Sequence, residues 1–231
     1  MAKRKTSVAA DPAAAMAEMP VLALGINAVN EQTAAWFGNS VSLAWGSVTS
    51  RGVVAVGQFA APKRMLVVTS TGALGRVASM FPSGWIGYNI ENWDNTPEAE
   101  RADPAWACDI GHVAVGTARR KFAVLPSYPY SLAHWSEMVP HCELYAPQCK
   151  GLQALGDVAP YVAHLTAIRG GLPSGVQLWG EVAAAPKGVA VTAKQMLAWV
   201  RPWLSLVDGL WVYAFPAQYG TVREFMQALS A

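Results

Sequence analysis

The stretch GWIGYNIENWDNTP, Gly84 to Pro97, decides how the rest of the chain is read. Its first half alternates large apolar residues with small or polar ones. Its second half is polar and ends in Thr96-Pro97, a pair suited to begin a helix, because a hydroxyl caps free N–H groups and proline is tolerated at the first helical position. A strand period of two puts Gly87, Asn89 and Glu91 on one face and Ile86, Tyr88 and Ile90 on the other. The second set is large and mostly apolar, which suits a face covered by helices. The first set then faces the opposite way, and Glu91 stands at the carboxyl end of the strand.

The same pattern recurs downstream. Short runs rich in β-branched and aromatic residues, at 64–71, 84–92, 121–128, 141–148, 175–182 and 208–215, alternate with helix-like segments, as in a parallel sheet with crossover helices. Helix starts are expected at Thr96-Pro97 and Thr192, a helix end at Gly170-Gly171, and an amphipathic helix in the final YGTVREFMQALS. Upstream, VLALGINAV, SLAWGSV and GVVAVGQF are further strand candidates that bring the count to about eight. The expected fold is a (β/α)8 TIM-type barrel, compact or incomplete because the 231 residues fall below the roughly 250 typical of such barrels. The competing architecture is an open doubly wound parallel sheet. That fold announces itself with a Gly-rich turn, and TSTGALGR, with only Gly72 and Gly75, falls short of one.

Composition bounds the rest. At 53% hydrophobic residues the chain has ample material for one large core, so residues 19–231 are read as a single barrel domain and residues 1–18 as a disordered, Ala-rich basic arm. A net charge of +2 with scattered lysines and arginines supplies no nucleic-acid footprint. No run approaches the roughly 18 apolar residues of a membrane span, and Asp11, Pro12 and Glu18 interrupt any signal-like segment. Cys108, Cys142 and Cys149 form an odd set without metal or disulfide spacing, which fits a reducing, cytoplasmic compartment. The four histidines show no ligand spacing either, so no metal and no cofactor is expected. A homo-oligomer stays open on apolar content alone.

In a barrel of this kind chemistry belongs at the carboxyl ends of the strands. The alternation applied to 175–182 groups Gln177, Trp179 and Glu181 on the inner face, so Glu91 and Glu181 form the simplest acid/base pair on offer. Asn89, Trp93, Tyr128, Tyr145, Gln148, Trp179 and Tyr213 are the candidate substrate-binding residues. Aromatic faces stack on sugar rings while amides and carboxylates bond hydroxyls, so the expected ligand is a small molecule or oligosaccharide. A simpler role for Glu91 is to cap the next helix or to pair with Arg101. Trp199 and Trp203, four apart, read as core.

GYNIEN resembles the strand of chitinase-type (family 18) glycoside hydrolase barrels, whose DxxDxDxE motif ends in the catalytic acid, and the YDxExW stretch of uncharacterised bacterial barrel proteins. The resemblance covers about ten residues. It puts Glu91 in the place of the catalytic glutamate and Asn89, Gly87 and Gly84 where three acidic residues would stand. In such enzymes the aspartate two residues before the acid assists the substrate's acetamido group as nucleophile. Asn89 can hydrogen-bond that group but carries no charge. The expectation is thus a glycosidase-like hydrolase with Glu91 as acid/base. The alternatives are a barrel that binds carbohydrate or another polar ligand without turnover, and a lyase or isomerase that uses Glu91 as a base.

Overall fold

The computed structural model describes residues 23–26, 43–47, 63–80 and 84–229. Eight parallel strands, β1 (Ala23–Ile26), β2 (Leu43–Ser47), β3 (Lys63–Val68), β4 (Trp85–Tyr88), β5 (Lys121–Val124), β6 (Leu144–Tyr145), β7 (Gln177–Ala183) and β8 (Gly209–Tyr213), close into a barrel in chain order. Closure is made by β1 pairing with β8, from Ala23 opposite Gly209 to Ile26 opposite Val212. This rules out the open doubly wound sheet. The candidate strand GVVAVGQF and the basic arm lie outside the described residues.

Eight helices lie among the described residues: α1 (Thr71–Met80), α2 (Glu98–Ala102), α3 (Pro104–Thr117), α4 (Tyr128–Met138), α5 (Lys150–Leu155), α6 (Ala159–Gly171), α7 (Ala193–Val200) and α8 (Tyr219–Leu229). Their boundaries follow local chemistry. Thr192 and Gln195 form a reciprocal capping box that starts α7. The buried residues Val222, Phe225 and Leu229 fall on one stripe of α8. TSTGALGR is the entry to α1 rather than a phosphate loop.

Local chemistry also shapes the segment after β4, and one expectation there is corrected. Asp103-Pro104 splits the segment after β4 into α2 and α3, because a proline inside a helix removes a backbone donor and clashes with the preceding turn; Asp103 Oδ1 accepts from the Trp106 N–H (2.9 Å) and caps α3. Thr96 does not cap α2, whose first residue is Glu98. Its Oγ1 accepts from the Glu91 N–H instead (3.1 Å). Trp203 lies three residues beyond the end of α7, yet both it and Trp199 are buried.

Two apolar layers result from the strand alternation. Leu66, Val68, Ile86, Tyr88, Phe122, Val124, Tyr145, Leu178, Leu210 and Val212 pack outward with helix residues such as Leu74, Val115 and Leu165. Met65, Val67, Trp85, Ala123, Leu125, Leu144, Ala146, Trp179 and Trp211 fill the lumen. Each side chain of 100–200 Å² removed from water stabilises the fold by a few kcal/mol. Small residues make that filling possible. A Cβ on Gly209 would lie 2.5 Å from Trp179 Cε2, and one on Gly87 would lie 2.8 Å from Leu125 Cδ1.

Parallel pairing continues past the last strand residues. Asn89 N donates to Val68 O (2.8 Å), Leu125 N to Tyr88 O (2.8 Å), Ser127 N to Ile90 O (3.2 Å) and Gln148 N to Pro126 O (2.9 Å). The extended backbone carries the alternation as far as Glu91 and Gln148. It is this continuation that aims polar side chains into the mouth of the barrel.

Candidate functional site at the carboxyl ends of the strands

Above the apolar filling, the lumen opens into a cavity of about 340 Å³ that contains both Glu91 and Glu181. Asn89, Trp93, Gln148 and Tyr213 line it too, as do four residues the sequence reading did not put in the site: Thr69, Lys150, Val67 and Leu125. Trp211 of β8 forms part of the lining as well. A second cavity of about 700 Å³ lies outside the first and shares Glu91, Trp93, Gln148 and Lys150 with it; Tyr128 lines this outer space.

Glu91 is held by backbone and side chain together. Thr96 Oγ1 fixes its N–H, and its Oε1 accepts from Gln148 Nε2 at 3.2 Å. The same Nε2 donates to Asn89 Oδ1 (2.6 Å) and to Leu125 O (3.0 Å). Asn89 and Glu91 from the β4 extension and Gln148 from the β6 extension are thus joined by one amide. Arg101 faces Asp94 at 3.8 Å rather than Glu91, and no side chain caps α2, so neither of the simpler roles for Glu91 is realised.

Glu181 is more deeply enclosed, with 2% of its surface exposed. Its Oε2 accepts from the backbone N–H groups of Cys149 (2.5 Å) and Lys150 (3.2 Å), and its Oε1 lies 4.0 Å from Lys150 Nζ without a hydrogen-bond partner among the described residues. Burial pushes its carboxyl above the ordinary range, against the pull of the Lys150 ammonium and the two N–H groups, and the charge of Glu91 adds to the push. Lys150 Nζ also sits 4.2 Å from the centre of the Tyr213 ring, a cation–π contact.

Two of the expected substrate-binding residues are elsewhere. Tyr145 is fully buried on the outer face of β6, its hydroxyl 2.8 Å from Ser131 Oγ. The reason is parity: Leu144, Ala146 and Gln148 point inward, so position 145 points out. Trp179 has the right parity but the wrong depth. It belongs to the lumen filling one layer below Glu181, packed edge-on against Trp211 with ring centroids 6.3 Å apart. Lys150 opens α5, past the extended backbone that ends at Gln148, so the strand alternation does not reach it.

Of the remaining chemistry-bearing groups, Cys149 touches Glu181 and the others lie away from the mouth. His134 on α4 pairs with Glu137 at 3.1 Å, and His141 faces Asp109 at 3.3 Å. His164 on α6 is buried against Ser131 Oγ (2.7 Å), and burial lowers its pKa to about 4. All three cysteines are buried free thiols, and burial pushes each thiol up. Among the described residues no group of three or more His, Cys, Asp or Glu side chains is gathered to hold a metal ion, and no helix is long and apolar enough to cross a membrane.

No protein-family model matches the chain, and no curated protein matches it. Solved structures do. Triosephosphate isomerase from Bartonella henselae superimposes with a TM-score of 0.55 at 10% identity, over 92% of this chain and 100% of that one. Phosphonopyruvate hydrolase gives 0.52 at 16%, over 90% and 82%. Phospho-2-dehydro-3-deoxyheptonate aldolase from Thermotoga maritima gives 0.55 at 12%, over 90% and 68%. At such identities the likeness is one of architecture, and it agrees with the strand order: the chain is a (β/α)8 barrel with a polar, two-carboxylate cavity at the carboxyl ends of its strands.

Proposed function

We propose that the protein is a glycoside-hydrolase-like barrel enzyme in which Glu91 is the acid/base. The observation that carries this reading is that Glu91 and Glu181 line one cavity together with Trp93, Trp211 and Tyr213. Two carboxyl groups in unequal environments are what glycoside cleavage needs. Glu91, next to the wider outer space, protonates the leaving oxygen as the C–O bond breaks. Glu181, anchored by the backbone at α5, turns its Oε1 to the positive charge that develops on the sugar, and a water molecule then bonds to that carbon as Glu91 takes back a proton. Lys150 and the two N–H groups counter the burial that raises the Glu181 pKa. The aromatic rings supply faces for the sugar, and Asn89 and Gln148 supply polar contacts to its hydroxyls.

The test is a panel of aryl glycosides with wild type and Glu91→Gln. General acid/base catalysis is worth about 10²–10⁴ in rate, so Glu91→Gln is expected to lose at least about a hundredfold in hydrolysis while still binding the ligand. A wild-type protein that binds oligosaccharides and cleaves none of them sinks the reading in favour of a binding barrel.

A second reading is supported by the size of the inner cavity and by neutral Asn89 beside Glu91. About 340 Å³ suits a small metabolite, and an acid/base glutamate there serves a lyase or isomerase equally well. The isomerase and aldolase among the similar structures are compatible with it. Proton exchange at a carbon next to a carbonyl, lost in Glu91→Gln and accompanied by no glycoside cleavage, distinguishes this reading.

A further inference from the structure

The outer cavity carries an uneven charge. Glu91 is the one carboxylate among its lining residues, against two lysines, Lys150 and Lys187. Lys150 has Glu181 in reach at 4.0 Å, whereas Lys187 forms no ion pair among the described residues. Lys187 also occupies an unusual backbone. In the short turn Pro186–Gly188 after β7 it has φ 49° and ψ 32°, followed by Gly188 at φ 85°.

A left-handed conformation costs a residue with a Cβ about 1–2 kcal/mol and favours glycine. Here it is a long cationic side chain that stands at the rim of a cavity. Strain of this kind, where it is observed, points to a job for the side chain. Gly151, at the start of α5, lies beside it: a Cβ there would come within 3.8 Å of Lys187 Cε, in ordinary contact. The lysine stem thus runs beside the residue that follows Lys150.

We propose that the outer cavity is a subsite for the carboxylate of an acidic sugar, with Lys187 as the residue that selects it. The proposal rests on the glycoside reading and names its substrate class: a glycoside with a uronic acid unit next to the bond at Glu91. Trp93 and Tyr128 offer ring faces to that unit, and the Lys187 ammonium makes a charge-assisted hydrogen bond to its carboxylate. Lys150 is engaged by Glu181 at 4.0 Å, so among the described lining residues Lys187 is the cation left to meet that carboxylate.

Ligand-observed NMR titration of the full chain with methyl glucoside against methyl glucuronide, and methyl galactoside against methyl galacturonide, tests this. In at least one pair the uronide is expected to bind about tenfold tighter at low salt, the preference shrinking as salt screens the charge. Lys187→Gln, which keeps length and removes charge, is expected to bring the preference below about twofold. Equal binding within both pairs overturns the subsite and leaves the glycoside reading standing. A preference that survives in Lys187→Gln overturns the role of Lys187. Failure of all four sugars to bind counts against the glycoside reading itself and removes the subsite with it.

Discussion

Two glutamates bracket the barrel wall, one outside it and one inside, and they are treated in opposite ways. Glu100 on α2 is buried on the helix side, where its carboxylate accepts from Thr71 N (3.0 Å), Thr71 Oγ1 (2.7 Å) and Tyr88 OH (2.6 Å). Both oxygens are in use. It ties the start of α1 to the outer face of β4, and the phenol of Tyr88, buried beside the carboxylate, is pushed well above its usual range. Glu181, inside the lumen, is more enclosed yet leaves Oε1 without a hydrogen-bond partner among the described residues, with only Lys150 Nζ at 4.0 Å. A saturated buried carboxylate holds a fold together; an unsaturated one is held by the fold for something else.

This contrast gives substitutions at the two sites opposite signs. The largest stability effect is expected at Glu100→Gln, where an amide NH₂ must face O–H and N–H donors. A loss of about 3 kcal/mol is expected, seen as a fall of roughly 6–12 °C in Tm. A Glu100→Gln protein as stable as wild type would break the comparison. Glu181→Gln keeps an oxygen for the Cys149 and Lys150 N–H groups and removes a charge that burial disfavours. It is expected to raise stability by about 1 kcal/mol at pH 7 while weakening activity or ligand binding, the trade-off of a site built for a ligand. Calorimetry across pH gives the sign. Because the folded state raises the Glu181 pKa, its contribution to stability is lost as pH rises from about 4.5, and that loss is absent in Glu181→Gln.

His164 sharpens the same contrast from the outer layer. Its pKa, lowered by burial to about 4, lies below that of the unfolded chain, so acid protonates the unfolded state first. Stability is therefore expected to fall as pH drops from 6.5 toward 4, by at most about 3 kcal/mol. Urea midpoints at pH 7 and pH 4.5 check this, and His164→Gln is expected to flatten the difference. The smallest effect belongs to the rim: Lys187→Gly, which relieves a left-handed backbone, is expected to raise Tm by a few degrees at most.

Much of the barrel was readable from the chain because strands β3 to β8 obey a period of two. Gly87, Asn89 and Glu91 share the inner face as the alternation demands, and Gln148 joins them from a strand whose ladder has only two residues. What the alternation does not encode is depth. Trp179 is two residues before Glu181, and whether that distance ends at the mouth or in the filling depends on how far β7 is staggered against β6 and β8, a property of the closed barrel. Tyr145 was chosen for its residue type against its own parity. Thr96 was read as a helix cap because the sequence shows a hydroxyl before proline, while its actual partner is a backbone group five residues back. Lys187 sits in a turn whose conformation no short-range pattern announces.

The amide of Gln148 has a consequence for how a ligand could enter. Its nitrogen carries two hydrogens and faces three acceptors, so in any instant one of Asn89 Oδ1, Leu125 O and Glu91 Oε1 is under-served. The longest of the three contacts, 3.2 Å, is the one to Glu91. A hydroxyl arriving at that carboxylate can therefore displace Gln148 without leaving a donor stranded, since both hydrogens already have nearer acceptors. Gln148 thus keeps Glu91 oriented through a contact that the folded protein is able to give up at no loss elsewhere.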